Sequence, residues 1–150
     1  MANLKLAVVA YAEAKTLIQT IRHLVFQVEQ GVTPALDFDG LDSESQHIVA
    51  SINGHAVGTT RLRHLDERTV KIERLAVLPE FRNQGIGRQI MEATLELLTQ
   101  SPQVKTVQLH AQLYIKDLYQ KLGFVQVGDV FEEAGILHVK MQKQLREFQE

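Results

Sequence analysis

"LPEFRNQGIGRQIMEATLELL", residues 78–98, decides how the chain is read. An apolar, strand-like run ends at Pro79. Two glycines (Gly85, Gly87) and two arginines (Arg82, Arg88) follow within a few residues, and apolar residues then recur at helical spacing. A glycine turn that opens a helix leaves the first N–H groups unpaired at the positive end of the dipole, a setting that suits a phosphate. Glycine removes the Cβ that an anion would otherwise meet, and arginines at the rim add charge-assisted contacts. An isolated G-x-G reads more readily as a tight turn with solubilising arginines. The Gly-Lys-Ser/Thr ending of a Walker loop is missing, and Ile90 stands where a dinucleotide fingerprint needs its third glycine.

Upstream of this segment, residues 4–11 read as a strand, and residues 13–30 carry Leu17, Ile18, Ile21, Leu24, Val25 and Val28 at helical spacing before Gly31. An acidic loop, "VTPALDFDGLDSES", comes next. Strands at 46–52 and 55–65 flank Asn53-Gly54, a strong hairpin signal, and a turn at Asp66-Glu67 leads into a strand at 69–78. Downstream come a strand (104–111), a helix (about 115–122), Gly123, and strands at 124–131 and 136–144. A meander followed by strand–helix–strand units argues for an α/β fold: a mixed, mostly antiparallel central sheet with helices on both faces.

The 150 residues form the usual length of one domain, taken as 1–150, with 45% hydrophobic and 23% charged residues. A formal net charge of −2 supplies no global field for nucleic acid or an anionic membrane, so neither is expected as a partner. The absence of cysteine excludes thiolate metal ligation and cysteine nucleophiles. The six histidines show no ligand spacing, so no metal is expected. "MANLKLAVVAYAEA" imitates a secretory signal, but its apolar run is short and Glu13 opens a helical pattern, so a strand feeding a helix is the preferred reading. No stretch approaches the roughly 20 apolar residues of a membrane span, and a cytoplasmic protein is expected.

Arg82-Asn83-Gln84-Gly85-Ile86-Gly87, preceded by "IERLAVLPEF", resembles the Q/R-x-x-G-x-G/A acetyl-CoA motif of the GCN5-related N-acetyltransferases, the GNAT enzymes. "LYQKLGF", residues 118–124, is similar to the family's "YxxxGF" signature. "VFQVEQGVTPALDFDGLD" and "EAGILHVKM" are similar to its ElaA/YjcF-like branch. The resemblance covers nearly the whole chain and implies a sheet splayed open beside the strand that ends at residue 78. It also implies acetyl-CoA as acyl donor, with backbone amides from Gln84 to Arg88 holding the pyrophosphate. Main-chain groups of Leu75, Ala76 and Val77 would pair with the pantetheine arm, and Gln112 stands where relatives carry an asparagine that contacts it. The acceptor would be a primary amine of a small molecule or protein, and a homodimer is allowed. A non-catalytic acyl-CoA-binding or sensing module, or an enzyme using another acyl-CoA, would share the glycine turn.

Acetyl transfer needs a neutral amine, and a lysine-like amine of pKa near 10.4 is neutral only about once in a thousand near pH 7.4. A base is therefore required. Glu73 is the first candidate: strand alternation places Glu73, Leu75 and Val77 on one side, facing the expected split, unless the bulge that the family resemblance implies in this strand upsets that alternation. The plain alternative is an exposed strand glutamate paired with Lys71 or Arg74. His110, at the end of the neighbouring strand, is the second candidate base, or else a histidine that caps the strand end. Tyr119 matches the family tyrosine that protonates the departing thiolate; it also reads as a core tyrosine, and Tyr114 lies near but off the motif. Asp37, Asp39, Asp42 and Glu44 read either as a solvated acidic face or as an attractor for a cationic amine.

Overall fold

The computed structural model describes residues 4–146. Seven strands form one sheet in the order β1-β2-β3-β4-β5-β7-β6. The strands are β1 (Leu4–Ala10), β2 (Gln46–Ile52), β3 (His55–His64), β4 (Thr69–Val77), β5 (Thr106–Gln112), β6 (Val125–Glu133) and β7 (Ile136–Gln144). The helices are α1 (Tyr11–Arg22), α2 (Pro34–Asp37), α3 (Ile86–Thr99) and α4 (Lys116–Lys121). All neighbouring strands are antiparallel except β4 and β5, which run parallel. The expected mixed, mostly antiparallel sheet is therefore present, with every strand end within two residues of the expectation.

Two helices cover opposite faces. α3 buries Ile86, Ile90, Met91, Leu95 and Leu98 against Ile48, Leu62, Val70, Ile72, Val107, Leu109, Val139 and Met141 in the main core. On the other face α1 packs Ala14 and Ile18 on Val49, while Ile21 and Val25 meet Ala76. The apolar stripe of α1 is narrower than its sequence suggests: Leu17, Leu24 and Val28 are exposed, and the buried position after Ile21 belongs to Arg22. α1 runs on into a π-helical segment, His23–Glu29, closed by the Gln30 N–H donating to the Val25 carbonyl, 3.2 Å away.

The Asn53-Gly54 turn has both residues at positive φ (51° and 82°), as the hairpin signal requires. The β6–β7 hairpin turns the same way through Ala134 (φ 53°) and Gly135 (φ 78°).

The geometry that matters for function is the parting of β4 from β5. Their pairing runs from Thr69↔Thr106 to Ile72↔Leu109 and stops there. Beyond it β4 stays on β3 up to Val77, while β5 stays on β7 up to Gln112, so the sheet opens into a V between them.

Candidate functional site

The β4 flank of the V contains a bulge. Arg61 pairs with Glu73 and Thr59 with Ala76, so Arg74 and Leu75 together oppose Thr60, and Arg74 takes a left-handed φ of 56°. The extra residue resets the alternation. Leu75 and Val77 pack against the α3-side core, whereas Glu73 reaches Arg61 and Arg63 on the α1 side, the side that also holds Ala76. Glu73, Leu75 and Val77 thus do not share a face, and the expectation built on simple alternation is corrected by this bulge.

Glu73 is buried, with 8% of its surface exposed, and it is fully engaged. Arg61 Nε donates to its Oε2 at 2.9 Å and a second Arg61 nitrogen donates to the same oxygen. Arg63 donates to Oε1 at 2.6 and 3.0 Å, and Lys71 Nζ lies 3.4 Å from it. Burial by itself would raise this carboxyl, but the hydrogen bonds from Arg63 and Arg61 outweigh it and hold the pKa at about 2. Such a group is a carboxylate at any ordinary pH and a weak proton acceptor.

The acidic loop explains where the arginines come from. Arg22 of α1 bonds Asp37 (2.9 Å) and Asp42, Arg61 bonds Asp39 (2.8 Å) and Asp42 (3.0 Å), and Arg74 reaches Asp39 (3.2 Å). Asp37 and Asp42 are buried in this network and Asp39, though more exposed, is paired with Arg61 and Arg74, so the loop is neither a simple solvated acidic face nor an open attractor for a cation; Glu44 is exposed. Its carboxylates are consumed in pinning residues 37–42 to the sheet beside Glu73. The hydrogen bond from Arg61 lowers the Asp39 pKa; burial depresses Arg61, yet Asp39 and Glu73 together raise it above its ordinary value.

On the β5 flank, Val107, Leu109 and Ala111 enter the α3-side core, leaving Gln108, His110 and Gln112 on the face of Glu73. His110 Nδ1 lies 3.1 Å from Glu133 Oε1, and the His110 ring meets Phe131 edge-on at 5.0 Å. Gln112 Nε2 donates to Gln30 Oε1 at 3.0 Å, so the end of β5 leans on the residue that follows the π-helical segment.

At the glycine turn, a short 3₁₀ turn (Pro79–Phe81) leads through Asn83 (φ 62°) to Gly85 (φ 76°), which precedes Ile86 as the left-handed entry to α3. No side chain caps this helix, so its first N–H groups are left for another partner. Gly85 is demanded by its backbone angle. Gly87 is not: a Cβ there would meet Val77 Cγ2 at an ordinary 3.8 Å, so the chain itself does not require glycine at this position. Gln84 lies exposed in the turn, reaching back towards the Glu80 carbonyl at 3.5 Å. Arg82 does not extend freely. Its Nε donates to the Val77 carbonyl at 3.0 Å and its terminal nitrogens grip Glu29 of the π-helical segment. Arg88 is exposed and pairs with Glu92 at 2.7 Å.

Tyr119 on α4 is packed in the α3-side core, its ring 6.1 Å from Phe124 in a T-shaped contact. Burial raises its pKa, so the phenol keeps its proton. No hydrogen-bond partner for its hydroxyl occurs among the described residues, where no buried polar side-chain atom is left unpaired; the hydroxyl therefore borders solvent-accessible space. Gly123 (φ 94°) turns the chain from α4 into β6 and lets Phe124 bury. Tyr114, by contrast, is 75% exposed.

The structure thus brings Glu73, His110, Gln112 and the β4 segment from Leu75 to Val77 to the V, and places the glycine turn at the end of the β4 flank. Sequence reasoning missed Glu29, Gln30, Arg61, Arg63 and Glu133. The available signal was "TTRLRHL", with Arg61 and Arg63 at strand spacing in an apolar run that demands carboxylate partners. Among the described residues no group of three His, Asp or Glu side chains is placed to hold a metal ion, and no helix is long and apolar enough to cross a membrane.

Residues 13–145 match the sequence family described as an acetyltransferase (GNAT) domain. Protein ElaA of Escherichia coli strain K12 is 36% identical over 129 residues, spanning 83% of this chain and 84% of that protein. Its crystal structure superposes with a TM-score of 0.84 over 94% of this chain and 99% of that one. An acyl-CoA N-acyltransferase from Pseudomonas aeruginosa superposes with a TM-score of 0.82 at 31% identity, covering 94% of this chain and 99% of that one. At 18% identity, a GNAT family acetyltransferase from Elizabethkingia anophelis with acetyl-CoA bound shares the fold, with a TM-score of 0.70 over 95% of this chain and 98% of that one.

Proposed function

Because the chain belongs to the GNAT acetyltransferase family, we propose that residues 1–150 act as one catalytic unit that transfers an acetyl group from acetyl-CoA to a primary amine. The observation that carries this reading is the parting of β4 from β5 beyond Ile72↔Leu109, beside an uncapped helix that opens on left-handed Gly85. A V with free strand edges accepts an extended pantetheine arm, with backbone of Leu75, Ala76 and Val77 on one wall and the Gln112 amide on the other. The N–H groups following Gln84 and Gly85, through Ile86 and Gly87 to Arg88, would receive the pyrophosphate. Arg82 would turn from Glu29 to the phosphates, with Asn83 shaping the loop. No metal is required by this chemistry. The cytoplasm, with its supply of acyl-CoA thioesters, is the proposed compartment.

The reaction converts an ammonium and a thioester into an amide, a thiol and one released proton. One proton leaves the ammonium before attack. The amine nitrogen then bonds to the carbonyl carbon, the C–S bond breaks as the tetrahedral intermediate collapses, and the second nitrogen proton ends on sulfur with Tyr119 as donor. Glu73, the first base expected from the sequence, is proposed to act through its permanent charge, which favours approach of the ammonium. His110 is the proposed proton acceptor, since its ring stands at the V with one nitrogen held by Glu133 and the other without a partner among the described residues.

The decisive experiment is free-thiol release from acetyl-CoA against a panel of small-molecule and peptide amines. Amine-dependent release supports the enzyme. Binding of CoA without release from any amine makes the chain an acyl-CoA-binding module, and release only from a longer or charged acyl-CoA reassigns the donor.

A further inference from the structure

The β6–β7 hairpin carries a charged and aromatic cluster to the open V that neither the glycine turn nor Tyr119 accounts for. Because the hairpin turns at Ala134-Gly135, Glu133 pairs with Ile136 and Phe131 with His138. On its other edge β7 pairs His138 with Gln112 and Lys140 with His110. Directly paired residues share a face. Glu133, Phe131, His138 and Lys140 therefore lie on the His110 side of the sheet, the side opposite α3.

We propose that Glu133 is a positioning residue that fixes the His110 ring with its Nε2 lone pair available to accept the proton of the incoming amine. The proposal rests on reading the V as an acyl-transfer site. A carboxylate accepts hydrogen bonds, so the 3.1 Å contact between Glu133 Oε1 and His110 Nδ1 requires the hydrogen on Nδ1. The neutral ring then has its lone pair on Nε2, for which no partner occurs among the described residues. Phe131, edge-on at 5.0 Å, limits rotation of the ring about this bond.

The rest of the cluster holds Glu133 in turn. His138 Nδ1 donates to the Ile136 carbonyl at 2.7 Å, its ring stacks on Phe131 at 5.9 Å, and its Nε2 lies 3.7 Å from Glu133 Oε2. The hydrogen bond from His110 lowers the Glu133 pKa, and the nearby Lys71 acts in the same direction, so the partner is a carboxylate at neutral pH. The titratable and charged groups on the His110 side are Glu133 from β6, His138 and Lys140 from β7, and Lys71 and Glu73 from β4. The side chain of His110 keeps 25% of its surface, enough for an amine to reach it. Its Nε2 takes the first proton of the ammonium and passes it to solvent after the amide has formed.

The test pairs a tautomer measurement with kinetics. In protein with ¹⁵N-labelled histidine, the neutral His110 ring should show hydrogen on Nδ1 in the wild type and shift towards Nε2–H in Glu133→Leu. With the best amine of the panel, His110→Gln should lower kcat about 10²-fold. Glu133→Leu should lower kcat about tenfold with KM for acetyl-CoA changed less than twofold, Glu133→Asp should recover part of that loss, and the double variant should be no slower than His110→Gln. An Nε2–H tautomer in active wild-type protein, or additive losses in the double variant, overturns the positioning role alone. Absence of thiol release by the wild type overturns the acyl-transfer reading and the proton-accepting role with it, whatever the tautomer.

Discussion

Glu73 and His110 each stand one residue beyond the last paired positions of β4 and β5, Ile72 and Leu109, and their side chains lie on the same face of the sheet. Each is drawn away from the gap between the strands, Glu73 towards Arg61 and Arg63 on β3 and His110 towards Glu133 on β6. The cleft therefore opens between a carboxylate that never protonates at working pH and an imidazole held by another carboxylate.

Glu73→Gln separates charge from basicity. If Glu73 acts by its charge, the variant should raise KM for a cationic amine about three- to tenfold and change kcat less. A loss of about 10²-fold in kcat that fades as pH rises from 6.5 to 9.5 would instead make Glu73 the base, directly or through water.

The Glu73 network should make stability depend on acid. The Glu73 pKa in the folded protein lies near 2 against an ordinary 4.5. The folded value is depressed, so the unfolded chain binds the proton first, and the contribution is fully present above about 4.5 and lost as pH falls towards 2. That shift corresponds to roughly 3 kcal/mol. Asp39, lowered by Arg61, loses its contribution in the same direction. Arg61→Met leaves Glu73 and Asp42 with one cation fewer and should cost about 3–5 kcal/mol at neutral pH. Urea titrations of both proteins at pH 7 and pH 3.5 measure these effects, and a wild type equally stable at both values would remove the network from the account of stability.

Gly85→Glu should reduce CoA affinity at least tenfold by calorimetry, because the variant brings bulk, a negative charge and a left-handed backbone penalty to the helix entry. Unchanged binding by a folded variant would move the cofactor site elsewhere.

Glu29→Gln should strengthen CoA binding about two- to fivefold. The half-exposed ion pair with Arg82 is worth at most about 1 kcal/mol, and an incoming phosphate must displace it. Weaker binding in the variant would mean that Glu29 shapes the site rather than competing for it.

Tyr119→Phe should leave CoA affinity intact and slow the chemical step about 10- to 10³-fold in single-turnover kinetics. A thiol of pKa about 8.5 leaves tolerably as the thiolate, so the donor assists rather than being indispensable. A wild-type rate in this variant would leave Tyr119 as core packing with Phe124.

The features legible in the amino-acid order were local. Asn53-Gly54 and the turn before α3 are legible because positive φ selects glycine and asparagine, and the helices and strands are legible because 3.6 and 2 are different periods. The glycine turn also marked the segment proposed to receive the pyrophosphate, since an uncapped helix start needs only neighbouring residues to form. Which groups meet depends on the folded arrangement. The bulge at Arg74 flips Glu73 away from the face of Leu75 and Val77, and nothing in "KIERLAV" announces it, because the extra residue is defined only by its pairing with Thr59 and Arg61 on another strand. The loop of Asp37, Asp39 and Asp42 looked solvated until Arg22 and Arg61 arrived from α1 and β3 to neutralise it. Glu133 lies 23 residues from His110, and only the register of β5, β7 and β6 brings the two together. A carboxylate's chemistry depends on the charges and the water within a few ångströms of it, and the folded chain alone sets those.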